Sequence, residues 1–481
     1  MRGKRRGSVS AAFLLCLFLA WPCVRAYDPQ ISRICAQGAY ETTARLSSPE
    51  FQGRLTGTEG FEKAAEWMAG EARRAGLEPG MGPAGFLQRF PVKRVTMVSA
   101  SMAVAGGDAK EPSRELALFK DYMPILTSPA GEADAEAVFV GFGITAPELG
   151  RDDYAGLDVT GKVVFFLRGE PKDGRDWGVH NSSRARWLNA SKHGAAAALL
   201  ADQPVASPNG DPLPGLLMGE ISQDLAGELM AGKGLKVEEM RRVLEAGGLC
   251  GFATGRRLRF TVKAAAPVEA EGANVLALLP GSDPAMKREY VVVGAHLDHC
   301  GNWPSLLPGA DDNASGSAAV LEVARAAARL RPRPKRSILF VWFGGEEMGL
   351  LGSRFLADHP PEGFSKCAGV FNLDMVGAGD GAYVAGGKNF PALMAALESS
   401  RDRFVPGFRL TAGLSRGEPR ADHGPFQQAG IPAVSLFGMG GTHHGYHTPG
   451  DTIYFITPKT IEASARVVLG AAQQVADWPG E

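Results

Sequence analysis

The stretch that most constrains this chain is Val291-Val292-Val293-Gly294-Ala295-His296-Leu297-Asp298, with Pro308-Gly309-Ala310-Asp311-Asp312-Asn313-Ala314-Ser315-Gly316 shortly after it. The first part is a β-branched run, too short and too branched for a helix, and is expected to be a buried strand. It ends in His296 and Asp298, whose spacing in extended backbone sends both side chains to one face. A metal-ligating histidine needs a partner behind its other ring nitrogen to fix the tautomer, and a carboxylate two residues on meets that need. A Gly/Pro-rich loop then delivers Asp311 to the edge of an apolar helix expected from Ser317 to Leu330. Together these make half of a metal site.

The other half comes from the same structural position, used again. Ser337 to Phe343 is a second buried strand, with Gly344-Gly345-Glu346-Glu347 just past its end, and Val370 to Leu373 is a third, ending in Asp374. Gly445-Tyr446-His447-Thr448-Pro449 adds a histidine on a loop. Open α/β sheets place their sites outside the carboxyl ends of strands. The expected fold class is therefore α/β, with a mixed, largely parallel sheet flanked by helices. Two histidines (His296, His447) and three carboxylates (Asp311, Glu347, Asp374) suit two zinc ions sharing a bridging carboxylate and a bridging water. Three carboxylates and one hydroxide leave two divalent ions close to neutral, as a partly buried cluster requires.

His296-Leu-Asp298, Gly-Ala-Asp311-Asp-Asn-Ala-Ser-Gly, Glu346-Glu347, Asn372-Leu-Asp374 and Tyr446-His447-Thr-Pro together resemble the co-catalytic di-zinc aminopeptidases. That superfamily also holds glutamate carboxypeptidases, glutaminyl cyclases and the non-enzymatic transferrin receptor. The resemblance implies that Asp311 bridges both ions, with Asp312 the alternative bridge if the motif is displaced by one residue. His296 on one ion and His447 on the other, each with one of Glu347 and Asp374, would complete the two sites. It also implies a cis Asp311–Asp312 peptide, unusual for a non-proline bond. Glu346, beside a ligand but free of metal, would act as general base, against the alternative that it only caps the next helix. Tyr446 would donate to the developing oxyanion, and Asp298 would support His296.

The start of the chain has a different character. Arg2, Lys4, Arg5 and Arg6 precede the apolar Ala11–Trp21, and Val24-Arg25-Ala26 is a plausible cleavage site. Residues 1–26 are expected to be a secretory signal peptide rather than a membrane span, which makes the mature protein soluble and secreted or periplasmic. Cys35, Cys250, Cys300 and Cys367 remain after processing; three pairings are open to them, and Cys300 beside His299 is expected to be a small buried side chain rather than a zinc ligand. A formal net charge of −1 argues against a nucleic-acid partner.

Between these ends, Thr58 is expected to cap a helix with Phe61, Ala64, Ala65, Met68, Ala72 and Ala75 on its packed face and Gly76 as its stop. The preceding Gly53-Arg54-Leu-Thr-Gly57 segment supports only a turn. From about residue 120 the texture changes, with strands expected at Val138–Ile144 and Lys162–Leu167 and an alanine-rich helix at Ala185–Asp202. Gly141-Phe-Gly143-Ile and the stretch from Tyr154 to Lys162 resemble a protease-associated domain. This implies a smaller, mainly β insertion at 120–263 inside a catalytic domain of 27–119 and 264–481. The insertion has no ligand-spaced residues, and its expected contribution is a lid beside the cleft. His180 and His193 within it suit surface or capping roles. Near the carboxyl end, Asp422-His423 is expected to orient a loop, and His443 and His444 to be loop or supporting residues.

The resemblance thus implies an exported metallo-aminopeptidase that removes N-terminal residues from peptides. A carboxypeptidase with a cationic pocket, kept open by Arg416 and Arg420, and a non-catalytic scaffold are the alternatives.

Overall fold

The computed structural model describes residues 28–105, 113–415 and 420–479. The signal segment and Arg416 lie outside these residues.

Why the central strands are so apolar is evident from what covers them. The Glu289–His296 strand sends Val291, Val293 and Ala295 into one apolar layer and Tyr290 and Val292 into another. Its neighbour Ser337–Phe343 divides likewise, with Ile338, Phe340 and Trp342 on one side and Leu339, Val341 and Phe343 on the other. The first layer is built with the Ala36–Leu46, Glu59–Arg74, Gly316–Ala327 and Pro458–Asp477 helices. The second takes Leu356 and Phe426 from the short Leu351–Asp358 and His423–Gln428 helices. A strand buried on both faces has no polar side to alternate with, hence the unbroken aliphatic runs. Thr58 caps its helix as expected, its hydroxyl accepting from Phe61 N at 3.4 Å.

This sheet has nine strands. Val268–Leu279, Ser337–Phe343, Glu289–His296, Lys366–Asp374 and Ala433–Met439 lie side by side in that order. The last four run parallel to one another, and Val268–Leu279 is antiparallel to its neighbour. His296 is paired opposite Phe343, and Asp374 opposite Phe437. The parallel strands therefore finish together, and the loops after them open onto one edge.

A second, eight-stranded sheet forms the inserted lobe, with its own apolar layers. Its outer strands Met97–Ala105 and Arg114–Glu115 lie ahead of residue 120, so the expected boundary is corrected to an earlier one. The long hydrogen-bonded pairing of Met97–Ala105 with Gly251–Ala264 draws these residues into the lobe. The helix expected over Ala185–Asp202 is also corrected. It spans Ser183–Lys192 and stops at His193-Gly194, where Gly194 takes φ +78°, and Ala197–Asp202 continues as a strand. Five of its residues, Ala197 to Ala201, are buried between parallel neighbours on both sides, so sheet pairing outweighs alanine's helix preference.

Cys35, Cys250, Cys300 and Cys367 are all free thiols, so none of the three pairings forms. Among the described residues, no helix is long and apolar enough to cross a membrane.

Candidate metal centre

Two imidazoles face one carboxylate across the edge where the parallel strands end. His296 Nε2 lies 3.3 Å from Asp312 Oδ1 and 3.4 Å from Asp374 Oδ1. His447 Nε2 lies 3.0 Å from Asp312 Oδ2 and 3.0 Å from Glu347 Oε2. All five side chains are buried. Each oxygen of Asp312 thus serves a different histidine–carboxylate pair, which is the arrangement of a bridging ligand between two cations. It also sorts the partners, an assignment open in the sequence: Asp374 goes with His296 and Glu347 with His447.

Asp311, the expected bridge, is turned away. Its Oδ1 accepts from Gly377 N at 2.8 Å and from Ser315 Oγ at 3.2 Å, while His443 Nδ1 approaches Oδ2 at 2.5 Å. His443 also donates through Nε2 to Gly438 O at 3.0 Å. With acceptors at both nitrogens, and Asp311 first among the causes, its pKa rises to about 9. The cis peptide is Asp312–Asn313, one bond later than expected. Both departures reflect the same one-residue displacement. It is stabilised by Asp451, whose two carboxylate oxygens accept from Asp311 N at 2.8 Å and Asp312 N at 3.0 Å. Asn313 ties the turn to the neighbouring strand, its amide donating to Leu373 O at 3.0 Å and accepting from Met375 N at 3.1 Å.

The tautomers follow from the acceptors behind each ring. His296 Nδ1 donates to the main-chain carbonyl of Asp298 at 3.2 Å, while the Asp298 carboxylate stands off at 3.8 Å and accepts from Glu346 N at 3.2 Å. The expected support from Asp298 is thus supplied by its peptide, and its side chain instead holds the turn that carries Glu346. His447 Nδ1 donates to Ala206 O at 2.7 Å, and Ala206 belongs to the inserted lobe. Expected only to border the cleft, the lobe touches the centre itself. Both Nε2 lone pairs are left pointing into the carboxylate cluster, as metal ligation requires.

Charge completes the case for cations. Burial, then Asp422, Glu347 and Asp374, raises Glu346 well above the ordinary carboxyl range. Burial likewise lifts Asp298 and Asp422 to about 7 each. The cluster holds more negative charge than its histidines balance, a surplus that divalent ions neutralise. Tyr446 stacks on His447 with ring centroids 3.9 Å apart. The residue as a whole is 41% exposed. Burial of its hydroxyl end, with Asp312, Glu347 and Glu346 nearby, raises its pKa and keeps the phenol protonated.

Three supporting residues were not distinguished by their sequence. His299 Nδ1 donates to Glu347 Oε1 at 2.9 Å, and Asp451 acts as described. Arg54, fully buried, makes four hydrogen bonds, all to carbonyls: Leu297 at 2.8 Å, Leu46 at 2.6 Å, Pro308 at 2.8 Å and Gly309 at 2.9 Å. It thereby joins the loop after His296 to the loop before Asp312. Only the glycines around Arg54 hinted at a special backbone, and its partners lie up to 255 residues away. Of the two alternatives for the carboxypeptidase reading, Arg420 is exposed.

Residues 274–472 match the model of peptidase family M28. Leupeptin-inactivating enzyme 1 of Streptomyces exfoliatus is 35% identical over 172 residues, covering 35% of this chain and 36% of that protein. Aminopeptidase YwaD of Bacillus subtilis is 27% identical over 458 residues, covering 91% and 84%. The chain spans 36 to 57% of the length of the first curated relatives it matches. Among solved structures, an aminopeptidase from Aneurinibacillus sp. strain AM-1 superposes with a TM-score of 0.66 at 24% identity, covering 94% of this chain and 97% of that one, a likeness of fold.

Arg54 generates a stability prediction. Arg54→Met keeps bulk but leaves the carbonyls of Leu46, Leu297 and Pro308 without this donor, while Gly309 O still accepts from Ala314 N, at about 1–3 kcal/mol for each acceptor that finds no other partner. Urea denaturation of the two proteins is expected to show a loss of at least ~3 kcal/mol.

Proposed function

We propose that this chain, whose residues 274–472 match the model of peptidase family M28, is a member of that family and, within it, an exported di-zinc aminopeptidase acting on peptides. The observation that carries this reading is Asp312, placed with one oxygen toward His296 and Asp374 and the other toward His447 and Glu347. These five residues would hold two zinc ions, which when bound acidify water and polarise a peptide carbonyl. The inserted lobe is read as a protease-associated domain, and residues 1–26 as the export signal.

The chain's own groups supply the rest. Glu346 has a carboxylate close to His296 and Glu347 without being one of the five ligands, and burial with neighbouring carboxylates holds its pKa above the ordinary carboxyl range, which makes it a stronger proton acceptor. It takes the proton of the attacking water and passes it to the departing amine. Asp298 holds Glu346 in place by accepting its main-chain N–H. The protonated phenol of Tyr446 donates to the carbonyl oxygen as charge develops there. The intact ligand set with a proton-accepting neighbour argues against a non-catalytic scaffold.

The polar groups around the five ligands favour the amino end of the substrate over the carboxyl end. Glu346, Asp298 and Asp422 are hydrogen-bond acceptors there, whereas Arg54, a buried cation in the same region, is turned onto main-chain carbonyls. An ammonium group suits such surroundings better than a carboxylate.

Matched peptides test this directly. Acetylating the N-terminus is expected to abolish hydrolysis and amidating the C-terminus to leave it nearly intact; the reverse would establish a carboxypeptidase. For the base, Glu346→Gln is expected to lower kcat by roughly 10²–10⁴-fold with zinc content and Tm near wild type. Turnover at the wild-type rate in that variant would end the assignment. For the bridge, metal analysis of Asp312→Asn should show loss of zinc, while Asp311→Asn retains two ions per chain, because only Asp312 faces both histidines.

A further inference from the structure

The contact between the inserted lobe and His447 is double. The Ala206 carbonyl accepts from His447 Nδ1 at 2.7 Å, and the Ala206 N–H donates to the His447 carbonyl at 3.0 Å. One residue of the lobe thus grips the ligand by both its ring and its backbone. His447 itself sits at φ +53°, a left-handed conformation that a non-glycine residue adopts only where its surroundings impose it.

The gripping segment is itself anchored inside the lobe. It follows directly from the Ala197–Asp202 strand. Val205 N donates to Glu220 Oε2 at 3.3 Å, and Ser207 O accepts from Leu126 N at 2.8 Å. Ala206 packs with Met123 and Leu126 of the lobe and with Cys300 and Leu307 of the catalytic half in one small apolar cluster. The Cys300 thiol shares the same acceptor, donating to Ala206 O at 3.5 Å. This explains a cysteine so close to the ligands: it faces the carbonyl behind His447.

We propose that the inserted lobe is a working part of the metal centre, in which Ala206 orients His447 and thereby sets the affinity of the cation that His447 and Glu347 hold. Ala206 is a positioning residue and touches no substrate. The inference rests on the two-zinc reading above. Coupling of this kind is reciprocal: if the lobe strengthens zinc binding, zinc strengthens the lobe's hold on His447.

Two measurements test it. In the first, Pro204–Pro208 is replaced by two glycines, withdrawing the Ala206 peptide, and zinc is titrated from the protein with a chromogenic chelator. One of two ions is expected to bind about 10–100-fold more weakly, the other as in wild type. The cobalt-substituted variant should show a changed visible spectrum. His447→Ala, run beside it, reports on the site. If His447→Ala loses an ion and the folded loop variant does not, the lobe's role is overturned and the metal site stands. If His447→Ala keeps both ions at wild-type affinity, the two-zinc reading falls, and this inference with it. The second needs no variant. Hydrogen exchange of full-length wild-type protein should slow at least about 10-fold over 203–209 when zinc is restored after chelation, with the lobe's Gln223–Ala231 helix unchanged. Equal exchange with and without zinc would overturn the proposal.

Discussion

Like charges crowded into a buried space repel, and this structure gathers Asp298, Asp312, Glu346, Glu347, Asp374 and Asp422 at one edge of a sheet. Much of what surrounds that edge serves to hold them there. The strands deliver Asp374 and His296 in register, because parallel neighbours end together. Main-chain N–H groups and histidines compensate individual oxygens, and Asp451 fixes the peptides of Asp311 and Asp312 from below. The remaining surplus is what makes the place suited to divalent cations and to a carboxyl group whose proton affinity is raised.

Much of this was legible in the chain. The strand Ser337–Phe343 has the limits its composition indicates, since an unbroken apolar run flanked by Arg336 and Gly344 leaves little freedom. His296, Glu347, Asp374 and His447 come together as their positions at strand ends and in the Tyr-His-Thr-Pro loop imply. Asp311 and Asp312 were another matter. Adjacent identical side chains in a turn have no periodicity to tell them apart, and what holds them in place is tertiary: the carboxylate of Asp451, about 140 residues on, accepts from both peptide N–H groups. The same holds for Ala197–Asp202, where local composition favoured a helix and the two flanking strands imposed another.

The inserted lobe illustrates a related limit. A residue's contribution through its peptide leaves no trace in its side chain, so Ala206 carries no signal that could distinguish it from the alanines before it. No ligand-spaced side chains mark the insertion as more than a lid, and its hydrogen bonds to His447 come from the Ala206 main chain.

Arg54 shows the complementary situation. Its four acceptors are the carbonyls of Leu46, Leu297, Pro308 and Gly309, and it asks nothing of their side chains. As far as this anchor is concerned, those positions are free to drift among relatives while the arginine is not. A covariation search across homologues would therefore find Arg54 invariant and silent, coupled to no partner, although it joins the two loops that bring His296 and Asp312 face to face. Residues that anchor through the backbone are invisible to methods that look for compensating pairs.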